Sequence, residues 1–342
     1  MQSFMKNKRK CSIIDLLPLI LTILLTISVF VFAVLMYKPT PVIAIFLCVV
    51  GLILNYVAGI LIHELGHIVN AKKYKMQTIY VNIGIMSIDF ITKAVKPFTL
   101  FKKDAGEARF LPTEKVTEKQ LKVIANGGLV SSLIFLLIGT ALGVALTVLT
   151  SEPAAFCIFT AGQAANFYIL AVNALSNDKS ADGNIAFSSS TYAAVLAEVS
   201  NAELDIAKGL IPSEPELIKR DNQPIALYYH YLFTAINSGK EAAFDVLTNI
   251  DLDSLTDQEY ALIFPELLFK ACKQKTISEE FIALAENFFA DEPNGVSVLR
   301  AHIALRTYLG DEKWAEALKG SYAKLLAAEK PFVVSVEKAL AD

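Results

Sequence analysis

Charged residues are scarce in this chain, and their scarcity is not uniform along it. Asp, Glu, Lys and Arg make up 19% of the 342 residues and hydrophobic residues make up 54%, a balance that is unusual for a soluble domain. Cysteine is rare as well, and the four cysteines have no spacing that is typical of a disulfide framework or of a cysteine-rich metal site. The composition therefore argues against a disulfide-stabilised secreted domain and against a cysteine-coordinated metal fold.

The shortage of charge is concentrated in the first half of the chain, where four long apolar runs occur. A helix needs about 20 apolar residues to cross the hydrocarbon layer of a membrane, and each run is long enough. We therefore predict four transmembrane helices, at about 16–37, 39–70, 121–151 and 153–177. The first is expected to be a retained span, because its apolar stretch is too long for a signal peptide and lacks a small-residue cleavage site.

The distribution of charge predicts how these helices are oriented. Residues 1–120 have a net charge of +8 and residues 121–342 one of −11, which together give the −3 of the whole chain. Lys and Arg are concentrated in the amino terminus and in the 71–120 connection, and basic loops stay on the cytoplasmic side. We expect a multi-pass cell-membrane protein, embedded in the lipid bilayer, with both termini cytoplasmic. The acidic second half argues against nucleic acid as a partner.

Histidine is also rare, yet two of the four histidines stand together near the end of the second apolar run. The chain there reads His63-Glu64-Leu65-Gly66-His67, an HExxH motif. Positions four apart share one face of a helix, so both imidazoles can bind one metal ion, and the glutamate between them can act as a general base. Ionisable residues in a membrane helix are costly and usually functional. The motif therefore predicts a Zn²⁺ site in which Glu64 is catalytic.

A catalytic zinc ion takes three protein ligands, so one more ligand has to come from elsewhere in the chain. The fourth apolar run ends on the same side of the membrane as the HExxH motif, and Asp178 and Asp182-Gly183 follow it. Asp182 is the preferred candidate, because the glycine after it allows a tight turn beside a ligand, and Asp178 is the alternative. Asn166 and Asn173 share a face of the fourth helix. They are candidates for binding the oxyanion or the substrate backbone, or for joining helices.

These residues together resemble the site-2 protease family of intramembrane metalloproteases. That family has HExxH in one membrane helix and an Asn…Asp-Gly motif at a later one, matched here by Asn173 and Asp182-Gly183. Its Gly-Pro-x-x-Asn element is similar to the stretch 127–131, where Ser131 replaces the Asn and becomes a further candidate for substrate binding. The resemblance covers about residues 40–185. It implies a zinc endopeptidase that cuts membrane-embedded polypeptides near the cytoplasmic leaflet.

The connection between the second and third spans contains a strand pattern. Apolar residues alternate with more polar ones from Ile79 to Ile85, and a second short stretch follows at 88–91. We predict a small membrane-associated β-hairpin or sheet within about 78–112. The strands at 78–91 are expected to hold an unwound substrate as an added strand, or to serve only as a structural hairpin.

The remaining residues, 186–342, have the pattern of successive helices. Turns near Gly239, Gln274 and Gly310 recur about every 35 residues, which is the period of tetratricopeptide-like hairpins. We therefore predict a mainly α protein, with a transmembrane metalloprotease core at 1–185 and a cytoplasmic α-helical domain at 186–342. A helical hairpin array offers a concave surface for a protein partner.

Other functions are compatible with the same motif. A membrane metalloprotease of a different HExxH class would take its third ligand from a distant glutamate, for which Glu198 and Glu203 are candidates. A transporter would bind a cation in transit, although the membrane half has no visible internal repeat. A non-catalytic membrane scaffold with a helical docking domain would keep the fold without turnover.

Overall fold

The computed structural model describes residues 13–36, 41–83, 86–91, 93–97, 106–175, 181–187, 192–220, 223–250, 252, 255, 257–291 and 295–341. The chain forms two compact units, one that ends at Ser200 and one that begins at Asn201. The described residues are mainly helical, and one small antiparallel sheet belongs to the first unit. The prediction of a mainly α protein with a small sheet is confirmed.

The first unit is built on four apolar helical segments. Its helices are α1 (Ile13–Met36), α2 (Pro41–Lys73), α3 (Glu118–Thr150), α4 (Pro153–Ala155), α5 (Gln163–Leu175) and α6 (Asp182–Phe187), with a π-helical segment (Phe156–Ala161) before α5. Segments of α1, α2 and α3, and the continuous segment Phe156–Leu175, are long and apolar enough to cross a membrane. The prediction of four such helices is confirmed. Residues 1–12, the expected cytoplasmic amino terminus, lie outside the described residues.

Small residues allow these helices to approach one another closely. A Cβ atom added to Gly66 of α2 would lie 2.2 Å from the main-chain oxygen of Gly127 in α3. A Cβ atom added to Gly51 of α2 would lie 2.7 Å from the carbonyl oxygen of Cys157 in the π-helical segment. Such contacts between backbones are typical of membrane helices, and they fix α2 against both α3 and the last apolar segment.

A four-stranded antiparallel sheet lies between α2 and α3 in the chain. Its strands are β1 (Met76–Ile83), β2 (Met86–Asp89), β3 (Ala94–Pro97) and β4 (Gly106–Pro112), in the spatial order β3-β2-β1-β4. β1 pairs with β2 on one side and with β4 on the other, where Ile83 lies opposite Gly106. β4 is therefore an edge strand, whereas β1 and β2 are both paired on two sides. The predicted sheet is confirmed, although Ile85 lies outside the described residues.

The start of α3 is determined by a local capping interaction. The hydroxyl of Thr117 accepts a hydrogen bond from the main-chain N–H of Gln120, and the Gln120 side chain accepts one from the main-chain N–H of Thr117. This capping box satisfies main-chain donors that the first turn of a helix leaves free. It fixes the residue at which α3 begins. It thereby also fixes the position, along the helix axis, of the α3 residues that face α2.

The second unit consists of helices. It contains the end of α7 (Tyr192–Ala207), which begins in the first unit, and then α8 (Glu216–Arg220), α9 (Pro224–Ser238), α10 (Lys240–Val246), α11 (Asp257–Gln274), α12 (Glu279–Asp291), α13 (Val296–Tyr308), α14 (Glu312–Leu326) and α15 (Pro331–Ala341). Turns with a positive φ angle occur at Gly239, Lys275 and Gly310. They separate α9 from α10, α11 from α12 and α13 from α14. The turns predicted near these positions are confirmed.

A buried ion cluster joins helices of the second unit. Arg300 of α13 donates hydrogen bonds of 2.7 Å to both carboxylate oxygens of Glu266 in α11. Its Nε atom lies 2.8 Å from Oε2 of Glu337 in α15. Tyr231 donates to Glu266, and Tyr322 donates to Glu337. The cluster pairs charges that would be strongly unfavourable if they were buried alone.

Candidate metal centre

Three side chains from two separate parts of the first unit converge on one point. His63 and His67 lie on successive turns of α2, and Asp182 is the first residue of α6. Oδ2 of Asp182 lies 2.8 Å from Nε2 of His63 and 3.0 Å from Nε2 of His67, and the two Nε2 atoms are 3.2 Å apart. Among the described residues, these three form the group of histidine, cysteine and acidic side chains that is close enough to hold a metal ion.

Asp182 reaches the histidines because α6 packs tightly against the end of α5. A Cβ atom added to Gly183 would lie 2.4 Å from the main-chain oxygen of Ala174. The sequence suggested that this glycine permits a tight turn, but Gly183 lies within α6. Its physical role is the close approach of two backbones, which brings the preceding aspartate over α2.

Hydrogen bonds on the far side of each imidazole orient the rings. Nδ1 of His67 lies 2.8 Å from the main-chain oxygen of Ile124, and because a carbonyl only accepts, Nδ1 carries the hydrogen. Nδ1 of His63 lies 2.9 Å from Oγ of Ser132. Metal-binding histidines usually have such a second partner. Both rings therefore point their Nε2 atoms toward Asp182.

Gly128 of α3 leaves the space that the two imidazoles occupy. A Cβ atom added there would lie 2.3 Å from Nε2 of His67 and 2.9 Å from Cε1 of His63. Ordinary van der Waals contact begins at about 3.4 Å. The backbone of α3 at Gly128 therefore lies directly against the Nε2 and Cε1 edge of the His67 ring, and only a hydrogen atom fits between them.

The donor set fits zinc. Two imidazole nitrogens and one carboxylate oxygen are ligands that catalytic zinc takes, with a fourth position left open. Bonds of about 2.0–2.1 Å in a tetrahedral arrangement separate neighbouring ligand atoms by roughly 3.3 Å, so the atoms described above are within about half an ångström of that spacing. Burial raises the pKa of Asp182, but its hydrogen bonds with His63 and His67 outweigh this effect and lower the pKa to about 2. The third candidate ligand is therefore a carboxylate.

Glu64 lies beside the three ligands without belonging to the group. Its side chain is 3% exposed, and its Oε1 atom would lie 3.0 Å from a Cβ atom added to Gly106 of β4. The carboxylate is thus held between α2 and the edge strand of the sheet. A carboxylate in this position can exchange a proton with a water molecule next to the ligands.

A cavity of about 540 Å³ opens beside these four side chains. It is lined by residues of α2, α3, α5, α6, α7 and β4, and its volume is typical of a ligand-binding site. β4 contributes Gly106, Glu107, Ala108 and Phe110. The edge strand of the sheet therefore forms one wall of the cavity that contains the candidate metal ligands.

The other predicted site residues occupy different positions. Asn173 lines the cavity, whereas the Asn166 side-chain amide donates to the main-chain oxygen of Ser132 and does not line it. Ser131 lines a separate cavity of about 360 Å³ between α2 and α3. Asp178, the alternative third ligand, lies outside the described residues.

The glutamates considered for a different class of metalloprotease are not part of the ligand group. Glu203 is buried and pairs with Lys330 at 3.3 Å. Glu198 is partly buried in α7. The residues within ligand distance of the two histidines in the described part of the chain include Asp182 and neither glutamate.

Sequence reasoning missed the residues of α3 that support the histidines. The Ile124 carbonyl and the Ser132 hydroxyl lie within hydrogen-bonding distance of the two imidazoles. Gly128, which has no side chain, leaves room for the rings. The three residues are spaced four apart, so they share one face of α3. This spacing was a usable signal, but it becomes meaningful only when that face is known to pack against α2.

The site as a whole has the parts needed for metal-assisted hydrolysis. It offers three side chains that could hold a metal ion, a separate buried carboxylate and a cavity of ligand-binding size. No family model, no curated protein and no solved structure matches this chain.

Proposed function

We propose that this protein is an intramembrane zinc endopeptidase of the site-2 protease type, which hydrolyses peptide bonds of membrane-embedded polypeptides. The observation that carries the proposal is the convergence of His63, His67 and Asp182 beside Glu64. The two elements that supply the ligands are distant in sequence, and one of them is an apolar helix in which such residues are costly. A structural role readily explains a lone histidine there, but it explains less well two histidines, an aspartate and a second buried carboxylate around one cavity.

Each residue has a distinct role in the proposed reaction. His63, His67 and Asp182 would hold zinc, which when bound acidifies water and polarises a carbonyl group. Glu64 takes the proton from the attacking water and later delivers it to the leaving amine. Asn173, at the cavity wall, is positioned to hydrogen-bond the substrate backbone.

The proposal includes the placement of the four apolar segments across the cell membrane, with both termini cytoplasmic. Their many exposed Leu, Ile, Val and Phe side chains suit a lipid environment. Lys72 and Lys73 end α2 and would mark the cytoplasmic boundary. His63 lies about 14 Å before Lys72 along the helix. Cleavage is therefore expected in the cytoplasmic half of the bilayer.

The sheet supports a specific way of holding the substrate. β1 and β2 are each paired with another strand on two sides, which favours a structural role for the 78–91 strands over pairing with the substrate. Among the strands of the described residues, β4 pairs with β1 alone, and it lines the cavity. An extended substrate added to β4 would have its backbone next to Glu64, and unwinding is needed because a helical peptide bond is poorly open to attack.

The experiment compares two carboxylates of the same cavity. The purified chain is placed in liposomes with a labelled transmembrane peptide, and cleavage and bound zinc are measured for Glu64→Gln and Glu107→Gln. We expect Glu64→Gln to lose about 100–10,000-fold in rate and to keep zinc, since it is a general base and no ligand. Glu107→Gln, the control for removing a carboxylate from the same cavity, should keep zinc and lose far less of the rate than Glu64→Gln.

Three results would contradict the proposal. Full cleavage by Glu64→Gln would remove the proposed base. Zinc binding without any cleavage by the wild type, across a panel of membrane peptides, would favour a non-catalytic scaffold. Zinc-dependent movement of a cation across the liposome membrane would favour a transporter.

We also propose that the helices after Ser200 form a tetratricopeptide-like array that binds a protein partner. Three successive helix pairs with short turns support this assignment. Photo-crosslinking from exposed Trp314, replaced by a photoreactive residue in the full chain, tests it in native membranes. A discrete crosslinked protein is expected, and crosslinks to lipid alone would contradict the assignment.

A further inference from the structure

A chain of buried amide side chains crosses the first unit behind the candidate metal ligands. It consists of Asn55 on α2 and of Gln163 and Asn166 on α5, which are 6%, 2% and 0% exposed. The Gln163 amide nitrogen donates to Oδ1 of Asn55 at 2.7 Å, and the Asn166 amide nitrogen donates to Oε1 of Gln163 at 3.3 Å. The hydrogen bonds of the three amides therefore all run from α5 toward α2 and connect the two helices.

Main-chain carbonyls fix the direction of this chain at both ends. The Asn55 amide nitrogen donates to the carbonyls of Gly51 and Ile158, both at 2.9 Å. The Asn166 amide nitrogen donates to the carbonyl of Ser132 at 3.0 Å. A carbonyl accepts only, so neither terminal amide can be reversed without losing its partner. The chain therefore holds three helices in a single arrangement.

Glycines leave the space that the amides fill. A Cβ atom added to Gly139 of α3 would lie 2.1 Å from the Gln163 amide nitrogen. One added to Gly162 would lie 2.2 Å from the Asn55 amide nitrogen. The amides are therefore enclosed by backbone on several sides, and their positions are fixed by packing as well as by hydrogen bonds.

The chain ends at the residue that contacts His63. Ser132 is fully buried, and its carbonyl accepts from Asn166 while its hydroxyl lies 2.9 Å from Nδ1 of His63. When Nε2 of His63 binds a metal, the ring hydrogen has to be on Nδ1, and the Ser132 hydroxyl is then its acceptor.

We propose that Ser132, held by the amide chain of Asn55, Gln163 and Asn166, is the positioning residue that keeps Nε2 of His63 directed at the metal. In the described part of the chain the three amides do not line the cavity, so they act through Ser132 alone. This inference rests on the metal centre of the proposed function.

The test measures binding of Co²⁺, a spectroscopic substitute for zinc, to the purified full-length chain. Ser132→Ala is compared with Ser131→Ala, a matched control on the same helix whose side chain lines the other cavity. We expect Ser132→Ala to bind Co²⁺ about 10–100-fold more weakly, with altered visible absorption bands, as for other partners behind a ligand. Ser131→Ala should bind as the wild type does.

A double-mutant cycle tests the amide chain separately. Gln163→Met keeps the length of the side chain and removes its hydrogen bonds, so it should weaken Co²⁺ binding in the wild-type background. In the Ser132→Ala background it should have little further effect, because the contact it supports is already gone.

The outcomes are distinct. Equal Co²⁺ affinity and spectra for Ser132→Ala, Ser131→Ala and the wild type would overturn the positioning role while leaving the metal centre intact. Fully additive losses from Ser132→Ala and Gln163→Met would overturn the action of the amides through Ser132. Failure of the wild type to bind Co²⁺ or Zn²⁺ would remove the metal centre and this inference together.

Discussion

Replacing Gly128 by alanine should destroy the metal centre although no ligand is changed. The added Cβ atom would lie 2.3 Å from Nε2 of His67 and 2.5 Å from its Cε1 atom, where ordinary contact begins at about 3.4 Å. The imidazole therefore has to retreat by more than 1 Å, or α3 has to move away from α2. Metal–ligand distances tolerate deviations of only about 0.2 Å.

The expected loss follows from that displacement. Because a ligand is moved and not merely its outer partner, zinc affinity should fall by more than the ~10–100-fold seen for outer partners. Overpacking of a close contact typically destabilises a fold by about 1–3 kcal/mol, so the chain should remain folded. Bound zinc is measured by elemental analysis after gel filtration, together with thermal unfolding and cleavage. Ser131→Ala, on the same helix, serves as the control for substitution in α3.

A zinc content and a cleavage rate equal to those of the wild type in Gly128→Ala would refute the reasoning. That result would mean that the backbone of α3 at Gly128 does not lie against the imidazoles. Loss of zinc together with complete unfolding would also contradict the reasoning, because the predicted destabilisation is too small to unfold the chain.

Further predictions concern the cavity and the helical unit. Gly106→Ala should reduce cleavage and leave zinc bound, because its Cβ atom would lie 3.0 Å from the nearest oxygen of the proposed general base; unchanged kinetics would contradict this. Arg300→Met should lower the free energy of unfolding of the helical unit by about 3–5 kcal/mol in denaturant titrations, since two buried carboxylates lose their cation; a loss below about 1 kcal/mol would show that the cluster is unimportant. Burial and the cation of Arg306 lower the pKa of His302, which accepts a hydrogen bond from Arg306 while neutral. The stabilisation of the fold by neutral His302 is therefore fully present above the ordinary histidine pKa of about 6.5. It is lost as the pH falls through the lowered pKa that His302 has in the folded chain. Unfolding followed by the fluorescence of Trp314, the only tryptophan, should show this acid-side loss, and His302→Gln should reduce it.

Local patterns predicted the helical elements well. The four apolar segments follow from length and hydropathy, which depend only on consecutive residues. The turns at Gly239 and Gly310 follow from residues that tolerate a positive φ angle. Element boundaries were less certain, since α2 continues to Lys73, three residues past the predicted end.

The candidate site was predictable in its ligands and not in its surroundings. His63 and His67 share a helix face by spacing alone, and Asp182 was selected by topology. The sequence could not indicate that Ser132, and not its neighbour Ser131, faces the histidines, because that depends on the rotation of α3. The sequence also could not indicate which strand forms an edge of the sheet, because strand order is fixed by long-range pairing.

The most direct test of the metal centre is the zinc content of the purified chain and of Asp182→Ala after dialysis against a chelator. We predict about one zinc ion per wild-type chain, and near-complete loss of zinc from the variant, because a catalytic zinc site needs three protein ligands. An Asp182→Ala chain that retains zinc as firmly as the wild type would contradict the assignment of this carboxylate and of the centre built on it.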